Sequence, residues 1–238
     1  MKKWISFFLS IMLVLALAAC SQDDSSSKND RSTAIEKSNV EEKKENKIGT
    51  NAHILIAYFG VPEDVNTSEY DAIARASIVV KDSEKMGNTE YVAKLVQETI
   101  GGDLFQIETK EVYPLEHDAL VDQAADEQDK NLRPELSSHV ENFEQYDTII
   151  IGYPNWWGDL PMPVYSFLEK YDFSDKTIIP FVTHGGSGFS GTRDTISKLQ
   201  PDAYVSENAL SLSRESVADG ETEVREWAES LENTSKKN

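Results

Sequence analysis

Three short stretches carry the side chains with chemistry to offer: GNT at 87–89, PNWWG at 154–158 and THGGSGF at 183–189. In the first, Gly87, Asn88 and Thr89 open a run with helical spacing. A helix start leaves backbone N–H groups unpaired and carries partial positive charge, so these residues suit a phosphate. A plain N-cap at Asn88 reads the same way. In the second, Pro154, Asn155 and Gly158 mark a loop that sets Trp156 and Trp157 side by side. Their rings either wall a flat ligand, stacking being worth about 0.5–1.5 kcal/mol beyond area burial, or plug the core. In the third, Gly185, Gly186 and Gly188 let backbone approach a ligand closely, beside Thr183, His184, Ser187 and Phe189. The alternative there is an ordinary flexible turn.

These loops need a scaffold, and the pattern around them supplies one. HILIAYF (53–59), DLFQIET (103–109), DTIIIGY (147–153) and KTIIPFVTH (176–184) read as strands, with a weaker fifth near 203–211. ILIAYF and TIIIGY lack polar alternation, as strands covered on both faces do. Between them lie helical patterns. Val92, Leu95, Val96, Thr99 and Ile100 share one helix face, and so do Val164, Phe167, Leu168 and Tyr171. A further helix runs over about 191–199, and the last carries Val224, Trp227, Ala228 and Leu231. Alternating strands and helices predict an α/β fold with a mostly parallel sheet. In such a sheet ligands bind beyond the carboxyl ends of the strands. The loops at 86–90, 154–159 and 185–192 are therefore expected at one edge.

Several function classes are disfavoured. No phosphate-loop lysine motif and no G-x-G-x-x-G fingerprint follows the first strand. The histidines His53, His117, His139 and His184 are too scattered for a metal cluster. A serine hydrolase would need G-x-S-x-G around Ser187 or Ser190, which neither has. The net charge is −19, and nearly all of the excess acid lies in residues 49–238. A field of that sign disfavours nucleic acid and anionic lipid surfaces and favours basic partners.

The two ends of the chain differ in kind. Lys2 and Lys3 precede an apolar run from Trp4 to Ala19, then Cys20. A basic head and so short a run read as a secretory signal. Leu17, Ala18, Ala19 and Cys20 resemble the lipobox of bacterial lipoproteins, which implies cleavage before Cys20 and a lipid on its thiol. Residues 21–48 hold almost no apolar side chains and read as a disordered tether, spanning about 30 Å. The expected organisation is a signal peptide over 1–19, a tether over 20–48 with lipidated Cys20, and a domain over 49–238. The expected location is the extracytoplasmic side of the cell membrane. Cys20 is the only cysteine, so the chain forms no intrachain disulfide and no thiol catalyst lies in the domain.

Taken in order along the strands, the phosphate cradle, aromatic wall and glycine-rich rim resemble the flavodoxin family over nearly all of 52–232. The resemblance implies a three-layer fold with a five-stranded parallel sheet of order 2-1-3-4-5 and noncovalently bound FMN. It implies that Gly87, Asn88 and Thr89 hold the FMN phosphate near Phe59 and Gly60. Pro154, Asn155, Trp156, Trp157 and Gly158 would flank the isoalloxazine ring. Thr183, His184, Gly185, Gly186, Ser187, Gly188 and Phe189 would contact its other side. One departure stands out: residues 61–86 are inserted after the first strand, and Gly60 stands where the family has a hydroxyl residue. Ser83 is a candidate replacement, and ASIVV (76–80) a candidate hairpin over the cofactor or a partner site. The stretch 113–136 reads as an extra helix near the site. The function implied is electron transfer to a redox partner with a basic docking surface. Two alternatives remain: an FMN-dependent oxidoreductase acting on nicotinamide or quinone-type substrates, and a noncatalytic binding protein that kept the fold.

Overall fold

In strand β1 (Ile54–Tyr58) every residue is buried. Successive strand side chains point to opposite faces. Ile54, Ile56 and Tyr58 accordingly enter one core cluster, and Leu55 and Ala57 enter the other. That two-sided burial is why the run has no polar alternation. It also identifies β1 as a central strand of the computed structural model, which describes residues 52–66 and 77–232. The signal segment, Cys20 and the tether lie outside the described residues.

After β1 come a hairpin of β2 (Ile78–Lys81) and β3 (Glu84–Gly87), helix α1 (Asn88–Ile100) and β4 (Asp103–Gln106). Helix α2 (His117–Asp129), β5 (Thr148–Pro154), α3 (Met162–Lys170), β6 (Thr177–His184) and α4 (Thr192–Leu199) follow. The described part closes with β7 (Tyr204–Val205), β8 (Leu210–Ser213) and α5 (Glu221–Glu232). The main sheet is parallel and runs β4-β1-β5-β6, with β7 and β8 both paired to β6. This is the expected 2-1-3-4-5 order. Apolar residues of α1 and α5 cover one face of the sheet, and those of α3 and α4 cover the other with Leu120 of α2. Among the described residues no helix is long and apolar enough to cross a membrane.

Two expectations need correction. The fifth strand is not one run over 203–211 but two segments. β7 pairs with Thr177–Ile178, and β8 with Phe181–His184. Between them Ser206 turns its hydroxyl onto local backbone, accepting from the Asn208 N–H at 3.0 Å. Such local bonds compete with the ladder. Second, Ser83 does not replace the missing hydroxyl near the helix start. Asp82 and Ser83, with φ of 52° and 69°, form the exposed two-residue tip of the β2–β3 hairpin. Strand β3 separates that tip from α1. The hairpin itself stands where ASIVV suggested.

The central strands approach closely at one point. A Cβ added at Gly152 of β5 would lie 1.9 Å from Cζ of Phe181, a fully buried ring of β6. Gly152→Ala is therefore expected to destabilise the domain by about 3 kcal/mol, the upper part of the usual overpacking range. Urea unfolding should show a lowered midpoint with an unchanged slope.

Candidate functional site

A cleft of about 290 Å³ opens beyond the carboxyl ends of β5 and β6. Its lining includes Pro154 at the end of β5, Asn155, Trp156 and Trp157 from the loop that follows, Thr183 and His184 at the end of β6, and Gly185 just beyond it. These seven were read from the sequence as site residues, and the fold brings them together.

The tryptophan loop is built as a tight turn. Trp156 and Asp159 exchange backbone hydrogen bonds at 3.1 and 3.0 Å. The two residues between them, Trp157 and Gly158, have φ of 53° and 83°. The two rings have different surroundings. Trp156 packs edge-on against Phe59 (centroids 5.3 Å apart) and Tyr113 (5.7 Å). Trp157 is 61% exposed, and its indole N–H points to the Val121 carbonyl of α2 at 3.4 Å. Trp156 thus forms the fixed wall, and Phe59 is buried behind it rather than lining the cleft. Tyr113 is anchored by donating to Glu127 at 2.6 Å; burial, then that carboxylate, pushes its phenol well above the ordinary range.

Asn155 joins this loop to the glycine-rich one. Its side-chain oxygen accepts from the Gly158 N–H at 2.9 Å, and its side-chain nitrogen donates to the Gly188 carbonyl at 2.8 Å. Gly186 and Gly188 take positive φ, of 118° and 58°. The Gly186 N–H donates to Nδ1 of His184 at 2.9 Å. That bond needs an unprotonated Nδ1, and burial holds the His184 imidazole below its ordinary pKa. His184 is thus neutral, with its proton on Nε2. Gly186, Ser187, Gly188 and Phe189 shape this loop without lining the cleft.

The predicted phosphate residues lie deeper. Asn88 and Thr89 are buried. The backbone N–H of Asn88 donates to Ser77 at 2.8 Å. With its amide oriented to satisfy its neighbours, the Asn88 side chain donates to the Ser77 and Ile78 carbonyls at 3.2 Å each. The Thr89 hydroxyl meets the Thr183 hydroxyl at 2.9 Å. Gly60 lies against Thr89, and Gly87 beside Pro62. None of Gly60, Gly87, Asn88 and Thr89 lines the cleft, and Thr89 reaches it only through Thr183. The residue that does line it near the helix start is Ser77.

Other lining residues escaped sequence reading. Leu120, Val121 and Ala124 come from α2, which lies beside the cleft as the extra helix was expected to. Glu63, His117 and Arg214 add charge. Glu63 is 4% exposed and lies 2.6 Å from His117 Nδ1. Burial raises the Glu63 carboxyl above its ordinary value, while His117 and Arg214 pull it down. A raised carboxyl favours the folded state at acid pH, and the contribution fades as pH rises through the folded value. Only the sequence proximity of the extra helix hinted at any of these residues.

A family model described as flavodoxin matches residues 77–231. The chain belongs to the flavodoxin family. Similar solved flavodoxin-like structures include a protein described as a flavoprotein from Bacteroides eggerthii DSM 20697. It is 26% identical over 76% of this chain and 98% of its own, with a TM-score of 0.57. Another, from Bacteroides uniformis ATCC 8492, is 28% identical over 71% and 96%, with a TM-score of 0.53. A flavoprotein in complex with FMN from Lactobacillus acidophilus NCFM is 18% identical over 72% and 99%, with a TM-score of 0.48. No curated protein matches the chain.

The Thr89–Thr183 pair offers a test of how this edge is held. Thr89→Val leaves the buried Thr183 hydroxyl without its partner and should cost about 1–3 kcal/mol. The double variant Thr89→Val/Thr183→Val, which removes both hydroxyls, should recover most of that loss in the same denaturation assay.

Proposed function

We propose that the cleft holds FMN and that the protein transfers electrons through it at the outer face of the cytoplasmic membrane. One observation carries the reading: in a chain of the flavodoxin family, the tryptophan loop after β5 and residues 183–185 at the end of β6 line a single cleft. The donor set fits the cofactor. Trp156 and Trp157 supply flat apolar surface, and the exposed backbone from Gly185 suits a polar ring edge. Arg214 and Ser77, both in the lining, are residue types suited to an anionic phosphate. When bound, FMN takes up and returns one or two electrons. The protein's part is to orient the ring, exclude water from the Trp156 side and control access from the Trp157 side.

Membrane attachment is supported by the Lys2–Lys3 head, the apolar run and the LAAC stretch ending at Cys20. The strong negative charge supports a partner with a basic docking surface. A second reading, two-electron reduction of a small acceptor, is favoured by the Glu63–His117 pair in the cleft wall.

FMN fluorescence should be quenched on titration with the protein. Trp156→Ala and Trp157→Ala should each weaken binding by roughly 2- to 10-fold, as loss of about 0.5–1.5 kcal/mol of stacking requires. A protein that neither quenches FMN nor turns yellow would refute the cofactor assignment. For the anchor, Cys20→Ala should move the protein from the membrane pellet to the soluble fraction after cell fractionation.

A further inference from the structure

Glu63 lies in the segment after β1, and His117 is the first residue of α2. They meet at the cleft, with Glu63 Oε2 2.6 Å from His117 Nδ1. Glu63 is fixed from two sides. Lys85 of β3 donates to its backbone carbonyl at 3.1 Å. The Asp64 N–H donates to the Leu115 carbonyl at 2.8 Å. The carboxylate is sealed while the imidazole remains half-exposed in the lining. With Nδ1 engaged, Nε2 is the ring nitrogen left to act. A buried carboxylate holding Nδ1 in this way sets the tautomer and orientation of a histidine that moves protons. Beside the tryptophans assigned to the cofactor ring, the surroundings are apolar: Leu120, Val121 and Ala124 of α2.

A carrier that passes electrons singly needs no such acid. We propose that His117 is the proton donor for a two-electron reduction in this cleft, that Glu63 positions it, and that the acceptor is a planar conjugated carbonyl compound of the quinone class. The inference rests on the reading that the cleft holds FMN. The balance is simple. If bound in its reduced form, FMN would supply the quinone with a hydride equivalent, two electrons and one proton, and would be left oxidised. The quinone takes its second proton from protonated His117 at Nε2, giving the hydroquinone. Neutral His117 recovers its proton from water. The charged and titratable groups around the pair are Asp64, Lys85, Glu116 at the start of α2, Arg214 after β8 and His184 at the end of β6.

The test uses the full chain loaded with FMN, reduced anaerobically with dithionite. It is mixed in stopped flow with a water-soluble benzoquinone, or with ferricyanide, which takes electrons singly and no proton. His117→Gln should slow the benzoquinone reaction about 100-fold relative to the ferricyanide reaction, the lower end of general-acid contributions. The benzoquinone rate should fall with rising pH in the natural protein and lose that dependence in His117→Gln. Added imidazole should restore part of the rate in His117→Ala. Without FMN, the Nδ1–H proton of His117 should give a downfield NMR resonance that disappears in Glu63→Gln. Equal slowing with both acceptors, or no slowing, overturns the proposal, and absence of the resonance overturns the positioning by Glu63. FMN titration of every variant separates poor loading from slow chemistry. If the natural protein itself binds no FMN, the cofactor reading falls and this proposal with it; if FMN binds and the acceptors are not distinguished, this proposal falls alone.

Discussion

The backbone N–H of Asn155 donates to the Thr183 carbonyl at 2.8 Å, extending the β5–β6 pairing past the sheet edge. Its side chain then bonds to Gly158 on one side and Gly188 on the other. Two loops more than 25 residues apart in sequence are thereby held at one spacing. The width of the cleft follows from that spacing. Within those loops Trp156 is held further by Phe59 and Tyr113, and His184 by the Gly186 N–H. Rigid elements carrying functional loops are a common arrangement, and here a polar side chain completes what the strands begin.

The insertion after β1 changes what the start of α1 can do. Residues 78–87 form a hairpin, and Ser77 and Ile78 present carbonyls to Asn88. Polar groups that would face a ligand in an open helix start are satisfied inside the protein instead. Buried donors without partners are costly, so this internal pairing is the expected outcome once the hairpin covers them. The same insertion delivers Glu63 and Ser77 to the cleft. It removes contacts from one place and supplies others nearby.

The scaffold was legible because hydrophobic period reports burial directly. ILIAY and TIIIGYP read as strands covered on both faces and are central strands, and Val224, Trp227, Ala228 and Leu231 fall on one buried face of α5. The tryptophan and glycine loops were legible because strand ends in a parallel sheet share an edge. The broken fifth strand was not, since its break depends on a hydroxyl folding back on its own backbone at Ser206. Glu63, His117 and Arg214 were not either. They come from three distant segments, each looks like an ordinary surface charge in its local context, and only the folded chain brings them together. Asn88 and Thr89 show the converse: residue types suited to a ligand, placed where the protein consumes their hydrogen bonds itself.

Trp157 holds a left-handed backbone conformation, which costs a residue with a Cβ about 1–2 kcal/mol. Glycine or asparagine would occupy that turn position with less strain. A large aromatic there, mostly in water, is a poor choice for a sequence drifting toward greater stability. The position therefore records a conflict between the comfort of the fold and the use of its surface. Laboratory selection for thermal resistance alone should replace this indole early, producing a sturdier protein with a blunter cleft.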